Sequence, residues 1–343
     1  MTRRYPERLV AMLREEMQSA GLLAPLADPG TTDLMVNADG SVWLQHLGRG
    51  QVRLEGAGVS ADELESLLGI VASLQGAVIN AERPILEATL PFHAARLEAV
   101  LPPLSTAPLV AIRKPPARLL TLDDLVANRT LPRGVAELLA AAVRGRQTCA
   151  VAGGVGSGKT TLVNALLAAL LDEFPEERVV ILEEGARELH AAGANVLRLL
   201  TSDAAGVGMT ELLRAALRLN PSRILVGEAR GREALDFLRA ANTGHPGSLL
   251  TLHANGARDA LTRLDTLAQE AGVPSQLARV CEALDLVVFV ARGATARRVV
   301  EVVRVGGLDG RGEPETETIY RRGGEAGEAE GRPLPSTERG ENR

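Results

Sequence analysis

The sequence predicts an α/β fold, with a larger domain built on a mostly parallel sheet and a smaller α+β domain before it. Three observations point there. From about Val135 to Val305, all-apolar runs alternate with amphipathic helical stretches, the mark of buried parallel strands joined by helices on both faces. The first third mixes helical and strand-like patterns without that regularity. Between Thr148-Cys149-Ala150-Val151-Ala152, a short buried strand, and a helical run from Lys159 to Leu171 lies the glycine-rich turn Gly153-Gly154-Val155-Gly156-Ser157-Gly158-Lys159-Thr160.

The smaller domain, residues 1–115, opens with a helical pattern over Glu7 to Ala20. Leu34-Met35-Val36 and Val42-Trp43-Leu44 flank Asp39-Gly40, a hairpin signal. Ser60 and Glu63 stand at capping-box spacing ahead of a second helix. Strand-like runs follow at Ile85 to Leu90, Arg96 to Leu101 and Leu109 to Arg113, and Pro115-Pro116 opens a connection assigned to residues 116–134. In the core, residues 135–305, further strands are expected at Val179 to Leu182, Arg223 to Val226, Leu249 to Leu252, Leu286 to Val290 and Val299 to Val305. Helices are expected at Glu211 to Leu219 and Ala257 to Glu270. After Gly306 the chain turns Gly-, Glu- and Arg-rich, and residues 306–343 read as a disordered tail.

Composition narrows the classes of function. The 343 residues are 45% hydrophobic and carry a formal net charge of −5, so no global basic field recruits nucleic acid or anionic lipid. Aromatic residues make up 2%, which argues against stacking platforms for single-stranded nucleic acid. Cys149 and Cys281 lie in apolar surroundings, outside any zinc pattern, and read as buried thiols of a reducing compartment. Leu9 to Met17 is interrupted by Arg14, Glu15 and Glu16, an amphipathic helix rather than a signal peptide. No apolar run approaches the ~20 residues of a membrane-spanning helix, so any membrane contact is expected to be peripheral.

The glycine-rich turn matches G-x-x-x-x-G-K-[ST] and holds Lys159, one of only two lysines in the chain. Its glycines let successive N–H groups curl around phosphate oxygens, Lys159 adds charge toward the β- and γ-phosphates, and the Thr160 hydroxyl can ligate Mg²⁺. Gly153 through Thr160, with Thr161 beside them, are the nucleotide-binding candidates. Hydrolysis also needs carboxylates near metal and water. Arg223-Ile224-Leu225-Val226-Gly227-Glu228 is an apolar strand ending in an acid, so Glu228 is a candidate both for catalysis and for the metal. Val179 to Leu182 ends in the paired Glu183 and Glu184. His245 and His253 bracket the Leu249–Leu252 strand and read as sensors of the γ-phosphate or its water.

These motifs together resemble the secretion "traffic" ATPases of type II and type IV secretion, conjugal transfer and type IV pili, most of all the TrbB-type conjugal-transfer and type IV secretion branch. The residues that carry the resemblance are the phosphate loop, Ile181-Leu182-Glu183-Glu184, Gly227-Glu228-Ala229-Arg230 and Asn242-Thr243-Gly244-His245-Pro246-Gly247 through His253-Ala254-Asn255. The likeness extends over nearly all of the chain to about Val305. It implies a RecA-like ATPase core, Arg230 and His245 on the nucleotide, His253 in catalysis, and a sensor-like N-terminal domain whose Arg96 and Arg113 approach the phosphates. The family's acidic box usually reads Glu-Asp-Thr-x-Glu-Leu. Here Glu183-Glu184-Gly185-Ala186-Arg187-Glu188-Leu189 lacks the Asp and Thr and is one residue longer. The resemblance puts the catalytic carboxylate on Glu183, with Glu184 next, and leaves open how the base role divides with Glu228.

The implied protein is a cytoplasmic, Mg²⁺-dependent ATPase forming a homo-hexameric ring at the cytoplasmic face of the inner membrane, with secretion or conjugation proteins as partners. Tight-adherence or type IV pilus assembly ATPases are the nearest alternative. A DNA-translocating ring would need basic, aromatic-bearing channel loops, and direct nucleic-acid binding is not expected. A GTPase would need an Asn-Lys-x-Asp motif, which the two lysines do not supply.

Overall fold

The computed structural model describes residues 6–46, 49–115, 118–185, 188–191, 193–202, 205–293 and 296–323. The chain divides into two compact units, Met1–Arg118 and Leu119–Arg343.

In the first unit the helices α1 (Glu7–Ser19) and α2 (Leu23–Ala27) precede strands β1 (Thr31–Val36), β2 (Ser41–His46) and β3 (Gly50–Gly58). Helix α3 (Ala61–Gln75) then leads to β4 (Ile85–Thr89), β5 (Arg96–Val100) and β6 (Leu109–Arg113). The six strands form one antiparallel sheet in the order β3-β2-β1-β6-β5-β4. The hairpin falls where the sequence puts it, with Met35 opposite Trp43 and Gly40 at φ +77° in the turn. The capping box is also present: Ser60 N–H donates to Glu63 Oε2 at 2.8 Å and Glu63 N–H to Ser60 Oγ at 3.3 Å. Leu34, Val36, Leu97, Ala99, Val110 and Ile112 face α1 and α3 in a core of their own. Strand β3 has no counterpart in the sequence reading, because Gln51, Arg53 and Glu55 leave it too polar and exposed to stand out.

The second unit opens with α4 (Leu122–Ala127) and α5 (Arg133–Arg144), then β7 (Cys149–Gly153), α6 (Lys159–Glu173), β8 (Val179–Glu183) and β9 (Val196–Leu200). Next come α7 (Met209–Leu217), β10 (Arg223–Ala229), α8 (Glu233–Asn242), β11 (Leu249–Leu252), α9 (Ala257–Gln269) and α10 (Leu277–Ala283). Strands β12 (Leu286–Arg292), β13 (Arg297–Leu308) and β14 (Pro314–Arg321) complete it. The sheet order is β14-β13-β12-β7-β11-β10-β8-β9. Pairs from β12 to β9 are parallel, while β12–β13 and β13–β14 are antiparallel.

Alternation along each strand divides the core. Ala150, Ala152, Val180 and Leu182 pack under α7 to α10. Cys149, Val151, Val179 and Ile181 pack under α4 to α6. A sheet buried on both faces needs apolar residues at every position, which is why its strands read as unbroken apolar runs. Strand β9 escapes that reading because it is a half-buried edge strand with Arg198 at its centre. Helix α7 begins two residues earlier than Glu211 because Gly208 is its N-cap and Glu211, in the first turn, reaches back to accept from Gly208 N–H at 3.1 Å.

Two expectations need correction. The stretch 116–134 is not merely a connection, since α4 opens with its own Thr121–Asp124 capping box, and Leu125 and Leu131 are buried in the second unit. The chain beyond Gly306 is not all tail. Pro314–Arg321 pairs with β13 and buries Ile319 and Tyr320, a two-residue apolar anchor too small to lift a polar segment above the disorder threshold in sequence. Residues 324–343 of the expected tail lie outside the described residues. Among the described residues no helix is long and apolar enough to cross a membrane.

Candidate nucleotide site

The carboxyl end of β7 passes directly into the glycine-rich turn. A side chain at Gly153 would place its Cβ 2.2 Å from the Val290 carbonyl oxygen on neighbouring β12, so only glycine lets the loop leave the sheet here. Gly158, at φ +102°, opens α6, whose N-terminal N–H groups face the turn. Lys159 is buried at 8% exposure, and its ammonium donates to the Gly153 and Gly154 carbonyls at 3.1 Å each. Burial pulls its pKa down, and the nearby Glu228 carboxylate opposes that. Inside the turn the Ser157 hydroxyl is buried without a hydrogen-bond partner among the described residues.

Glu228 and His253 reach the same lysine from β10 and the end of β11. His253 Nε2 lies 2.7 Å from Glu228 Oε1, and His253 Nδ1 lies 3.3 Å from Lys159 Nζ, which is 3.9 Å from Glu228 Oε1. An ammonium can only donate, so Nδ1 accepts and the proton sits on Nε2, directed at the carboxylate. Arg230 is held on the acids beside the turn. Its Nε and Nη2 bind Glu228 Oε2 at 2.7 and 2.6 Å, and Nη1 binds Glu184 Oε2 at 2.5 Å.

The acidic box is arranged differently from the sequence expectation. Glu183 is 3% exposed, and its Oε1 accepts from the N–H groups of Glu188 and Leu189 at 2.6 Å each. Burial raises its pKa, while those two hydrogen bonds and Arg198, 3.8 Å away, work against the rise. The side chain thus folds the following loop, and the residue it sets in place is Glu188, whose Oε2 lies 3.4 Å from Thr160 Oγ1. Asn164 on α6 holds the same loop, donating to the Glu188 carbonyl at 3.1 Å and accepting from His190 N–H at 2.7 Å. Glu188 escaped the sequence reading. The signal was the Glu-Leu ending of the box, which the extra residue moved out of register. Glu184 is half exposed and bound to Arg230.

His245 is not brought to the phosphate loop of its own chain, which corrects the expectation that it binds there. Gly247 and Ser248 meet Thr148 and Cys149, at the start of β7, and His245 Nδ1 sits 3.2 Å from the Ala240 carbonyl. Five residues of strand at ~3.3 Å each separate that edge from Gly153, roughly 16 Å. Two histidines bracketing a strand necessarily stand at opposite edges of a sheet. At the same far edge the buried Arg223 ties β10 to its surroundings through Glu177 Oε2 at 3.0 Å and the Val143 carbonyl at 2.9 Å. In the first unit Arg96 and Arg113 stand directly opposite one another on β5 and β6, both exposed, with Asp33 next in the row on β1. Thr161 lies in the first turn of α6, half-buried.

A phosphate loop at the carboxyl end of a parallel strand, with a buried lysine and a strand-end glutamate converging on it, defines a P-loop α/β protein. The chain belongs to the type II/IV secretion system protein family, which it matches over residues 16–305. It is 38% identical over 300 residues to the conjugal transfer protein TrbB of Rhizobium radiobacter, spanning 88% of this chain and 91% of that protein. The type IV secretion system protein PtlH of Bordetella pertussis is 35% identical over 307 residues, 79% of this chain and 89% of its own. Among solved structures the Legionella pneumophila ATPase DotB matches with a TM-score of 0.60 at 20% identity, covering 89% of this chain and 82% of that one. The pilus retraction motor PilT, solved with bound ADP, matches at 0.56 and 19% identity over 90% and 81%. These two likenesses concern the fold.

Proposed function

We propose that this chain is a Mg²⁺-dependent ATPase that works as a ring motor, a homo-hexamer, in a conjugal-transfer or type IV secretion apparatus. The observation that carries the chemistry is the convergence of Lys159, Glu228 and His253 at the mouth of the phosphate loop. The residues fit a nucleoside triphosphate. Lys159 occupies itself with the loop's own carbonyls, and the orphaned Ser157 hydroxyl has a donor to offer a phosphate oxygen. A RecA-like core is supported by the placing of one strand, β11, between the loop strand and the acid-bearing strand.

Bound Mg²⁺ would supply charge neutralisation on the β- and γ-phosphates, and Thr160, Glu188 and Glu228 are the residues that would hold it and its waters. On ATP binding Lys159 exchanges carbonyl partners for phosphate oxygens. Glu228, then relieved of that lysine, orients a water and takes its proton as the water oxygen bonds to the γ-phosphorus and the bond to the β-phosphate oxygen breaks. His253 holds Glu228 in line. Glu183 acts through Glu188 as a positioning residue. Arg96 and Arg113 form a cross-strand cation row suited to stabilising transition-state charge.

The apparatus is inferred from the relatives, conjugal transfer from TrbB and type IV secretion from PtlH. The motor would stand at the cytoplasmic face of the inner membrane, beside secretion or conjugation proteins. Particle mass measured with and without ATP, alongside phosphate release, tests the reading. A ring that hydrolyses ATP supports it, and a protein inert toward ATP at every mass would overturn it.

A further inference from the structure

The carboxylates around the phosphate loop stand on one side of it, where Arg230 binds two of them. Glu228 lies on β10, and Glu184 and Glu188 follow β8; both strands are on the β11 flank of β7. The opposite flank is β12, which runs parallel to β7 with Val290 beside Gly153, so its next residues travel alongside the loop. Those residues end in Arg292, paired across the hairpin with Arg297 on β13. Both arginines border the loop itself. A Cβ on Gly156 would lie 3.7 Å from Arg292 Nη1, and a Cβ on Gly158 would lie 3.1 Å from Arg297 Cδ and 3.6 Å from its Cβ. Arg298 adds a third guanidinium, which donates to the Arg297 carbonyl at 3.1 Å.

A nucleotide whose γ-phosphate faces Glu228 and His253 has its terminal charge on the acidic flank. Its remaining length must leave the loop elsewhere, and the cationic flank is the side built to receive phosphate. Resting on the ATPase reading above, we propose that Arg292 and Arg297 bind the α-phosphate and nucleoside end of the nucleotide from within the same chain. Arg297 lays its aliphatic stem along Gly158 and fixes the entry to α6, while Arg292 brings a planar fork of donors to the rim at Gly156. Because the α-phosphate is common to ATP and ADP, this contact serves both equally. It thereby sets affinity and leaves the chemical step alone.

The test is titration of full-length protein with fluorescent (methylanthraniloyl) ADP and ATP in the presence of Mg²⁺, using Arg292→Ala and Arg297→Met, the second keeping the stem that packs on Gly158. The dissociation constants for both nucleotides should rise together by about tenfold, the scale of one charged hydrogen bond. Arg292→Lys should recover part of the affinity that Arg292→Ala loses. Wild-type affinity in both variants, or weakened ATP with unchanged ADP, would overturn the assignment. Arg292 is exposed at a strand end, so its variant reads out even where Arg297→Met loosens the loop. Wild-type protein that bound neither probe would instead sink the nucleotide reading on which the proposal stands.

Discussion

Glu183 spends one carboxylate oxygen on the backbone N–H groups of Glu188 and Leu189, at 2.6 Å each, so the strand-end acid builds the loop that presents the next acid to Thr160. The division of labour this implies separates two neighbouring glutamates. Glu188→Gln should cut kcat by roughly 10²-fold with an unchanged melting temperature. Glu183→Ala should lower both, since it leaves the buried Leu189 N–H and the partly buried Glu188 N–H without their acceptor, at a cost of about 1–3 kcal/mol. Phosphate release and thermal melts on the two variants check it. A Glu183→Ala protein with wild-type stability would contradict the positioning role.

The same buried carboxyl makes stability depend on pH. Its folded pKa is raised above the ordinary 4.5, chiefly by burial, so the folded state holds the proton more tightly than the unfolded one. Stability from this group is complete below 4.5 and is lost as pH climbs through the folded value. Glu183→Gln keeps an acceptor for the two N–H groups and removes the titration. Denaturant midpoints measured from pH 4 to 7 should therefore fall less steeply in Glu183→Gln than in wild type.

His253 and His245 should part company. His253→Ala removes the contact to Glu228 and Lys159 and should reduce kcat by at least about tenfold. His245→Ala, at the far edge of the sheet, should leave nucleotide affinity within about twofold. Equal loss of ATP affinity in both variants would restore His245 to a nucleotide site.

Truncation reads the chain's end. Removing residues after Arg322 should be neutral in a melt, whereas cutting after Gly306 strips Ile319 and Tyr320 from the core and should cost several kcal/mol, on the order of 2–3 for each side chain. Identical melting temperatures for the two truncations would show that β14 contributes nothing.

Replacing Arg113 with Ala should depress kcat while circular dichroism stays unchanged, because the side chain is exposed on an intact strand. An arginine that meets the transition state is worth on the order of 10³-fold or more, an exposed ion pair almost nothing. A rate equal to wild type would return Arg113, with its cross-strand neighbour Arg96, to ordinary surface charge.

The parts legible in sequence were those where local chemistry alone fixes geometry. The phosphate loop needs its glycines in fixed order, and two-faced burial makes β7, β8, β10 and β11 mostly apolar, with their charged residues at the strand ends. The Asp39-Gly40 turn and the Ser60–Glu63 cap are local in the same way. Illegible were features set by neighbours distant in the chain. Edge strands β3 and β9 carry mixed polarity because one side meets solvent. The roles of Glu183 and Glu188 depend on a loop folding back onto α6, and His245 is removed from the loop by the direction of β11. Arg292 and Arg297 come to the loop only because β12 pairs with β7 across more than a hundred residues.

The central claim is that Glu228 prepares a water to attack a γ-phosphate gripped by Lys159. Its most direct measurement is single-turnover hydrolysis of radiolabelled ATP with Mg²⁺ by wild-type, Glu228→Gln and Lys159→Ala protein, with retained nucleotide counted on a filter. Glu228→Gln should hold ATP uncleaved, slowed by about 10²–10⁴-fold, and Lys159→Ala should hold none. Wild-type turnover by Glu228→Gln would contradict the claim.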